Sequence, residues 1–488
     1  MALIISATSK PSAAPASSIP LVVNLDHALI RSDLLIEAFF SHLGQSLRAI
    51  VTLRSWSFGG PARFRQALGD WVTEDVTSLP YDDAVIARLR TAKAEGRAVY
   101  LVSALGESFT AKVAAHFNLF DGWVAAADGD RSTTTRAARL ISLFGEGGFD
   151  YIGSGKGDRP VWQRAATAVA VRTPGSVTRT LRSASGSPAE VEPHHNKLRV
   201  WMRLLRPHQW LKNALVAVPL LIGHNFLPGI VFETLLAFVA FSICASSVYI
   251  VNDLVDIQAD RAHPTKRARP FASGELPVIA GGLLALAFAV LAFILAALIA
   301  PAFLGVLAVY YATATAYSVY LKRKMVIDVV TLAGLYTLRV IGGAMAGDLL
   351  VSQWILAFSM YLFLALALIK RHAELTIRFD AGLPDPTNRN YRSGDLSVIA
   401  GLAAAAGYSA VLVFALYVSS DTALGRFSHP EILWLACPVL LFWISRLLLL
   451  SHRHLVQDDP IIFAVKDRVS WISGGVILVL ELLASSKF

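Results

Sequence analysis

Acidic and amide side chains recur at helical spacing where a long uncharged stretch ends, in IVNDLVDIQADRAHPTKRARPFASG at residues 250–274. Asn252, Asp256 and Asp260 are four residues apart, and Asp253 lies three residues before Asp256. On a helix these side chains share one face. Clustered carboxylates repel one another unless a hard cation gathers them, and Mg²⁺ prefers oxygen ligands and phosphate partners. The spacing therefore predicts a Mg²⁺-diphosphate site, with these four residues as ligands and the three aspartates as catalytic residues.

Basic side chains follow the acidic face. Lys266 and Arg269 lie in the next turns, with His263 before them and Ser273 after them. Ammonium and guanidinium groups suit the outer oxygens of a phosphate, which makes Lys266 and Arg269 candidate substrate-binding residues. The alternative is a solvated loop, in which the basic residues reflect only the general excess of Lys and Arg in cytoplasmic loops. That alternative leaves the four aligned acid and amide side chains unexplained.

Composition indicates a membrane protein with a soluble N-terminal part. The 488 residues are 55% hydrophobic and 16% charged, and the mean hydropathy is +0.54, which is too apolar for an ordinary soluble protein. The net charge of +9 lies mostly beside hydrophobic spans, so we expect no nucleic-acid partner. Cys244 and Cys437 lie inside apolar runs and predict no disulfide.

Long apolar runs beyond residue 209 predict an all-α bundle of nine transmembrane helices. Lys and Arg concentrate in alternate connections between the spans, which places the charged loops and the N-terminal domain in the cytoplasm. The same rule places the C-terminus across the membrane. We expect a multi-pass protein of a bacterial inner membrane. The predicted spans cover residues 210–226, 229–251, 277–299, 301–320, 326–346, 352–369, 396–418, 431–450 and 470–486.

The N-terminal part alternates short apolar strands with helical stretches. PLVVNLD, RAVYLVSA and GFDYIGSG each end in small or polar residues, a pattern typical of a parallel α/β sheet with functional groups at the carboxyl ends of its strands. We expect a disordered leader at 1–19, the soluble α/β domain at 20–168, a linker at 169–196 and the membrane domain at 197–488.

The acidic segment resembles a known family. N-D-x-x-D-x-x-x-D followed by H-P-x-K-x-x-R-P-x-x-S-G is similar to the first aspartate-rich motif of the UbiA superfamily of membrane prenyltransferases, and the resemblance covers about residues 197–488. It implies a UbiA-like helical bundle and a Mg²⁺-dependent transferase. Most aromatic prenyltransferases of this superfamily carry a second aspartate cluster after the sixth helix. Here the corresponding loop has mainly basic and aromatic side chains, namely Lys370, Arg371, Glu374, Arg389 and Tyr391.

A cation-rich loop suits a phosphate-bearing acceptor better than a neutral aromatic ring. HQWLKN, YSVYLKRKMVIDVVTLAGLYTLRVIGGA, KRHAEL and DDPIIFAVKDR resemble the polyprenyl-phosphate (decaprenyl-phosphate) phosphoribosyltransferase branch. The resemblance implies transfer of 5-phosphoribose from phosphoribosyl diphosphate to a polyprenyl phosphate, towards lipid-linked arabinose for envelope glycans or, in rhizobia, nodulation signals. The alternative within enzymes is prenyl transfer from a polyprenyl diphosphate to an aromatic acceptor. A transporter or membrane scaffold is the non-enzymatic alternative.

Four cations are candidates to bind the acceptor phosphate or the sugar 5-phosphate: Lys322, Arg339, Lys370 and Arg371. Arg339 is the strongest because an arginine inside a membrane span is costly unless it faces a polar cavity or a partner. Its alternative is a structural pair with a buried acid. For Lys322, membrane topology alone is an equal explanation. Asp458, Asp459 and Asp467 either cap the last cytosolic loop or touch the substrate.

PLVVNLDHALIRSDLL, VSALGES and YIGSGKGDRPVW resemble the first, second and fourth motifs of haloacid-dehalogenase-like phosphatases. The resemblance places Asn24 at the nucleophile, Asp26 at the acid/base, and Ser103 and Asp158 at the phosphate and metal positions. An amide cannot form an aspartyl phosphate. The expected lysine region reads RSTTTRAARL. We therefore expect a non-catalytic domain for scaffolding, regulation or ligand sensing, and a downstream phosphatase or epimerase as a separate partner.

Overall fold

The computed structural model divides the chain into two compact units. The first joins Met1–Leu205 to Ile250–Leu283, and the second joins Arg206–Tyr249 to Leu284–Phe488. The predicted leader up to residue 18, most of the predicted linker and Asp458 lie outside the described residues. The structure describes residues 19–45, 75–125, 133–173, 189–191, 197–263, 265–349, 352–382, 385, 389–456 and 459–486.

A parallel β-sheet forms the centre of the first unit, as predicted. Its strands are β1 Leu21–Asn24, β2 Val99–Ser103, β3 Gly122–Ala125, β4 Asp150–Gly153, β5 Ala168–Ala170 and β6 Ala189–Val191. They lie in the order β3-β2-β1-β4-β5-β6, and every neighbouring pair is parallel. The direction of strand addition reverses beside β1, so the crevice between the carboxyl ends of β1 and β4 is the topological switch point where such sheets bind ligands.

Helices cover both faces of the sheet. They are α1 Leu34–Gln45, α2 Asp83–Ala94, α3 Glu107–Phe117, α4 Thr133–Phe144 and α5 Arg159–Trp162. Val23 belongs to a core that includes Leu89 of α2, whereas Val22 belongs to a core that includes Leu140 of α4 and Trp162 of α5. Successive strand residues point to opposite faces, which is why the LVV run of β1 is buried throughout.

The sheet extends beyond the predicted boundary of the α/β domain. Two residues of β5 and all of β6 lie in 169–196, which the sequence predicts as a linker. Ala168 pairs with Ala189 in parallel register. An edge strand is defined by its backbone hydrogen bonds to the neighbouring strand, and the surrounding Ser, Gly and Pro residues conceal it in the sequence.

Helices dominate residues 197–488. The helices are α6 Lys197–Leu205, α7 Val218–Gly223, α8 Pro228–Val255, α9 Ile257–Arg261, α10 Val278–Ile299, α11 Pro301–Val319, α12 Ile327–Ala346, α13 Gln353–Asp380, α14 Leu396–Val418, α15 Asp421–Leu424, α16 Ala436–His452, α17 Pro460–Lys466 and α18 Arg468–Ser485. In the part of the chain that the structure describes, eight helices are long and apolar enough to cross a membrane, namely α8, α10 to α14, α16 and α18.

The prediction of a ninth spanning helix at 210–226 is not confirmed in the described residues. A 3₁₀ helix covers Pro207–Ala217, and only the six residues of α7 follow it. Pro219 lies in the first turn of α7, where its missing N–H cannot continue the hydrogen bonding of the preceding segment. The tighter 3₁₀ segment buries two polar side chains, Lys212 and Asn213.

Two spanning helices are longer than predicted. α8 continues to Val255 and therefore includes Asn252 and Asp253, and α13 continues to Asp380. Lys370, Arg371 and Glu374 therefore lie on a helix, whereas the sequence interpretation placed them in a loop. The residues after 369 are mostly good helix formers, and the helix ends just before Gly382, whose φ is +61°.

Candidate functional site

The acidic segment keeps its helical spacing across a bend. α8 ends at Val255, α9 begins at Ile257, and Asp256 lies between them. The backbone N–H of Asp256 donates to the carbonyl of Asn252 at 2.9 Å, and that of Asp260 donates to the carbonyl of Asp256 at 2.8 Å. The four-residue period of the acidic face therefore continues through the interruption, as predicted.

Two of the predicted ligands converge on an arginine. Nη1 of Arg269 donates to Oδ1 of Asp253 at 3.1 Å and to Oδ2 of Asp260 at 2.7 Å. Both carboxylates are buried, with 2% and 3% of their residue surface exposed. Arg269 follows a 3₁₀ turn at Lys266–Ala268 that returns the chain towards the acidic face. The sequence predicted Arg269 as a phosphate ligand, whereas the structure pairs it with the aspartates.

The acidic segment fits a divalent cation only after a rearrangement. In the described residues, no three His, Cys, Asp or Glu side chains are placed to hold a metal ion, so the predicted four-ligand set is not assembled. However, Asp253 and Asp260 contribute hard, buried oxygens that share one cationic nitrogen. Such oxygens are the ligands that Mg²⁺ prefers, and the fit requires the Arg269 guanidinium to turn aside.

Burial raises the pKa of Asp260 to about 6. The positive charge and hydrogen bond of Arg269 lower this pKa, and the negative charges of Asp253 and Asp256 raise it further. Asp260 therefore lies within the electrostatic influence of the other two carboxyls.

A buried carboxylate joins two lysines in the second unit. Oδ2 of Asp459 accepts hydrogen bonds from Nζ of Lys212 at 2.7 Å, from Nζ of Lys370 at 3.1 Å and from the hydroxyl of Tyr336 at 3.0 Å. Burial alone would raise the pKa of Asp459, but the two ammonium groups lower it well below its usual range. Of the two acidic candidates near the C-terminus that the structure describes, Asp459 lies within this basic group.

Arg371 lies beside the lysines in a second ion-pair group. Its Nη2 is 2.9 Å from Oδ2 of Asp328, and its Nη1 pairs with Glu374, which also pairs with Arg389. The hydroxyl of Tyr391 donates to Oδ1 of Asp328 at 2.5 Å. Four of the five residues predicted around the second loop therefore come together, namely Arg371, Glu374, Arg389 and Tyr391, whereas Lys370 pairs with Asp459. We call these two ion-pair groups, together with Arg339, the basic network: Lys212, Asp328, Arg339, Lys370, Arg371, Glu374, Arg389, Tyr391 and Asp459.

Arg339 is the member of the basic network with neutral partners. Its Nε donates to Oδ1 of Asn213 at 2.8 Å, its Nη1 to the carbonyl of Leu335 at 2.6 Å and its Nη2 to the hydroxyl of Tyr310 at 2.8 Å. Its guanidinium also lies 5.4 Å from the ring centre of Tyr336. Only 4% of Arg339 is exposed. Among the described residues, no carboxylate lies within 4.0 Å of its guanidinium, so the alternative of a pair with a buried acid is not observed there.

Close packing holds Arg339 against its amide partner. A Cβ atom on Gly343, one turn after Arg339, would overlap the backbone carbonyl of Val216. Val216 lies one turn of 3₁₀ helix after Asn213. The glycine therefore lets α12 approach the 3₁₀ segment closely enough for Arg339 to reach Asn213.

We expect Gly343→Ala to destabilise the protein by roughly 2 kcal/mol, because the added methyl group meets backbone that cannot move aside. Gly334→Ala on the same helix is the matched control, since a Cβ there meets nothing within 4 Å. Alanine favours helix over glycine by about 1 kcal/mol, so the control should be neutral or slightly stabilising. Thermal unfolding in detergent measures both variants. Equal melting temperatures for Gly343→Ala and wild type would contradict the close approach.

The remaining candidates have different surroundings. Lys322 is buried in a 3₁₀ turn at Leu321–Arg323, and Lys266 is half-buried. Asp467 pairs with Arg446 at 2.7 and 3.0 Å and caps α18, which agrees with the structural alternative. The sequence interpretation did not single out several members and supports of the network. These are Lys212, Asn213, Asp328, Tyr310 and Tyr336.

The family assignment follows from a comparison with known proteins. The sequence model of the UbiA prenyltransferase family matches residues 214–464, slightly more than half of the chain. This chain belongs to the UbiA prenyltransferase family. The UbiA region contains the whole acidic segment and all of the basic network except Lys212, and its apolar helices indicate a multi-pass membrane transferase.

One relative is similar over nearly the whole chain. The chain is 34% identical over 471 residues to an uncharacterized protein, y4nM, of Sinorhizobium fredii, covering 94% of this chain and 90% of y4nM. It is 36% identical over 267 residues to nodulation protein NoeC of Azorhizobium caulinodans, covering 55% of this chain and 87% of NoeC. It is 34% identical over 297 residues to the decaprenyl-phosphate phosphoribosyltransferase of Mycolicibacterium smegmatis, covering 57% of this chain and 89% of that protein.

A solved structure of a UbiA homolog from Archaeoglobus fulgidus bound to GPP and Mg²⁺ is also similar. It is 18% identical and has a TM-score of 0.46, and the match covers 59% of this chain and all of that one. The M. smegmatis relative is thus matched over 89% of its length by 57% of this chain. The α/β part lies outside the residues that the UbiA family model matches.

The sheet edge of the first unit brings the four predicted phosphatase-like positions to neighbouring strand ends. Nδ2 of Asn24 donates to both carboxylate oxygens of Asp158, at 3.0 and 3.2 Å. Asp158 also accepts from the hydroxyl of Tyr151 at 3.0 Å and from the N–H of Ser154 at 2.7 Å. Burial raises the pKa of Asp158, and the charge of Arg136 opposes that rise.

Arg136 corrects one part of the sequence interpretation. The RSTTTRAARL stretch has threonines where a lysine was expected, yet Nη1 of Arg136 in this stretch lies 3.4 Å from Oδ1 of Asp158. A cation is therefore present at this sheet edge. Asp26 accepts from the N–H of Ala104 at 2.8 Å, and Oγ of Ser103 accepts from the N–H of Leu105 at 2.9 Å.

We expect Asn24→Asp to make the first unit respond to Mg²⁺. The substitution replaces an amide donor by a second carboxylate about 3 Å from Asp158, so the two charges repel and destabilise the edge. A divalent cation between them would restore stability. Hydrogen exchange of β1 and β4 should accelerate in EDTA and slow with MgCl₂ in the variant, whereas wild type should not respond. A variant indifferent to Mg²⁺ would contradict the arrangement of Asn24 against Asp158.

Proposed function

We propose that this UbiA-family transferase moves 5-phosphoribose from phosphoribosyl diphosphate to a polyprenyl phosphate in a bacterial inner membrane, with its α/β part in the cytoplasm. The observation that carries the proposal is Arg339, a buried cation in a membrane-spanning helix held by neutral groups. A buried arginine in a span costs about 2.5–3.5 kcal/mol on insertion scales, so its retention favours a functional anion. The name of the M. smegmatis relative agrees with this choice.

The charge of the basic network favours an anionic substrate. Its cations Lys212, Arg339, Lys370, Arg371 and Arg389 outnumber its carboxylates Asp328, Glu374 and Asp459. The contacts of Arg339 account for three of the five N–H donors of a guanidinium, which leaves donors for phosphate oxygens. We assign Arg339 and Lys370 as ligands of a substrate phosphate, and Lys322 as a further phosphate ligand. Asp328 holds Arg371 in position.

We assign the acidic segment to the diphosphate of the donor. Asp253 and Asp260, with Asn252 and Asp256, would hold Mg²⁺, which would neutralise the diphosphate leaving group when bound. Arg269, released from the two aspartates, would then be available with Lys266 to donate to the outer phosphate oxygens. The chain's own contribution is thus an exchange of partners by Arg269, from carboxylate to phosphate.

The reaction requires positioning more than proton transfer. The bond between the anomeric carbon and the diphosphate oxygen breaks, and an oxygen of the polyprenyl phosphate forms the new bond to that carbon. The lipid phosphate is already anionic near pH 7, so no general base is needed. Diphosphate leaves with the bonding electron pair, and the 5-phosphate stays on the sugar. We infer no hydrolytic role for the α/β part, since Asn24 cannot act as a carboxylate nucleophile.

Acceptor choice tests the proposal. Membranes containing the protein are incubated with ribose-labelled phosphoribosyl diphosphate and a polyprenyl phosphate, and the organic extract is counted. We expect labelled lipid that disappears when the polyprenyl phosphate is replaced by the corresponding alcohol. In a parallel incubation, a polyprenyl diphosphate and an aromatic acid replace both substrates, and we expect no prenylated acid. Prenylated acid without labelled lipid would establish the aromatic prenyltransferase alternative instead.

A further inference from the structure

A buried ion pair joins the α/β part to the acidic segment within the first unit. Nη1 and Nη2 of Arg261 donate to Oε2 and Oε1 of Glu37, at 2.8 and 2.5 Å. The Nε of Arg261 donates to the carbonyl of Ala272 at 3.0 Å. Both side chains are 4% exposed. The planar guanidinium is thus fixed by three hydrogen bonds, two of them to α1.

Arg261 is next to a site residue on the same short helix. Asp260 and Arg261 are the last two residues of α9, and Asp260 contacts Arg269. Ala272 lies three residues after Arg269, so Arg261 also ties the returning chain to α9. Arg261 therefore fixes the backbone next to Asp260 and, through Ala272, the backbone near Arg269. A shift of Arg261 would move the two side chains that we assign to the diphosphate.

The backbone of the same segment packs closely against the α/β part. Gly274 has a φ of +72°, and a Cβ atom there would overlap the side chain of Arg31. A Cβ on Gly282 would lie 3.3 Å from the ring of Phe40 on α1. Arg31 and Glu37 thus contact the acidic segment, and Phe40 contacts α10, which follows it. Three points of contact therefore constrain the acidic segment and the start of α10.

We propose that Glu37 is a positioning residue for the diphosphate site, so that the α/β part acts as a fixed support for the acidic segment. The inference rests on the proposed role of Asp253 and Asp260 in binding a diphosphate. Glu37 touches no substrate in this account; it holds Arg261, which orients Asp260. Residues in this supporting relation to a metal or anion site commonly change its affinity by about 10–100-fold.

Glu37→Gln in the full chain, reconstituted in nanodiscs, tests the proposal. It keeps the shape of the side chain and removes the charge. Asp150→Asn is the matched control, because Asp150 pairs with Arg97 at 2.5 Å in the same unit and away from α1. We expect Glu37→Gln to raise KM for phosphoribosyl diphosphate about tenfold or more while KM for the polyprenyl phosphate stays unchanged. Asp150→Asn should change neither.

A second readout does not depend on transferase activity. Hydrogen exchange of residues 250–283 is measured with and without inorganic diphosphate and MgCl₂. In Glu37→Gln the segment should exchange faster than in wild type, and diphosphate should protect it only at higher concentration. Equal hydrogen-exchange rates of residues 250–283 in wild type and Glu37→Gln would overturn the positioning role, even if the protein transfers phosphoribose. Faster exchange without any transferase activity would support the positioning role and contradict the proposed function.

A reciprocal variant guards against simple misfolding. Glu37→Arg combined with Arg261→Glu restores opposite charges at the same two positions. We expect the exchange of 250–283 in the double variant to lie nearer to wild type than in either single variant. Non-additive recovery supports a direct pair. Additive damage from the two substitutions would overturn the claim that the pair positions the segment.

Discussion

Asp253→Asn and Asp260→Asn should each lower kcat/KM for phosphoribosyl diphosphate by about 10²–10³-fold, the range seen when one preorganised electrostatic group is lost. The amide keeps the side-chain volume, but it removes one of the two negative charges that converge on Arg269. The site would then hold Mg²⁺ less tightly, so the negative charge of the leaving diphosphate would be less well neutralised. Its bond to the sugar would be harder to break. Initial rates at varied MgCl₂ and donor concentrations measure the effect.

Asp395→Asn is the matched control for the acidic segment. Asp395 is also an acid at the boundary of a spanning helix, directly before α14, and its Oδ2 accepts from the N–H of Arg392 at 2.9 Å. This variant should keep wild-type kinetics. The two site variants should also need more MgCl₂ for half-maximal rate, while KM for the polyprenyl phosphate should not change. Full activity in Asp253→Asn would remove the acidic segment from the mechanism.

Arg339→Met should abolish most of the activity with little change in stability. Loss of the phosphate ligand is expected to lower kcat/KM by about 10²–10³-fold. Methionine keeps an unbranched side chain and removes a buried charge from the span, which offsets the loss of the hydrogen bonds to Asn213 and Tyr310. Thermal unfolding and labelled-lipid formation on the same preparation separate the two effects.

Arg446→Met should give the opposite pattern. Arg446 also lies in a spanning helix, but it forms two hydrogen bonds with Asp467, which caps α18. Removing it leaves a partly buried carboxylate without its cation, so the melting temperature should fall while kcat/KM per folded molecule is retained. If Arg339→Met behaves like Arg446→Met, Arg339 is a structural residue and the phosphate assignment is wrong.

The periodic parts of this molecule were accessible from the sequence. Alternating apolar strands predicted the parallel sheet, and long apolar runs predicted the eight spanning helices described. The four-residue spacing of Asn252, Asp256 and Asp260 predicted the acidic face. Each of these features is local, because strand and helix periods are set by a few consecutive residues. The 3₁₀ segment at Pro207–Ala217 was not predicted, because its apolar residues resemble those of a spanning helix.

The partners of the charged residues were not accessible from the sequence. Arg269 was expected on a phosphate and instead bridges Asp253 and Asp260. Arg136 supplies a cation at the sheet edge, in the stretch where a lysine was expected and is missing. Such pairs join residues that are far apart or on different elements, and packing decides them. Asn213 and Asp328 did leave a signal, since each is a polar residue at or near an apolar run that predicts a spanning helix.

Purified protein in nanodiscs, with donor labelled in two positions, tests the central claim most directly. One preparation of phosphoribosyl diphosphate carries ³²P in the 5-phosphate, and another carries it in the diphosphate. After incubation with a polyprenyl phosphate and MgCl₂, the proposal predicts label in the lipid from the first donor and none from the second. Lipid label from the diphosphate, or no lipid label from either donor, would contradict phosphoribose transfer.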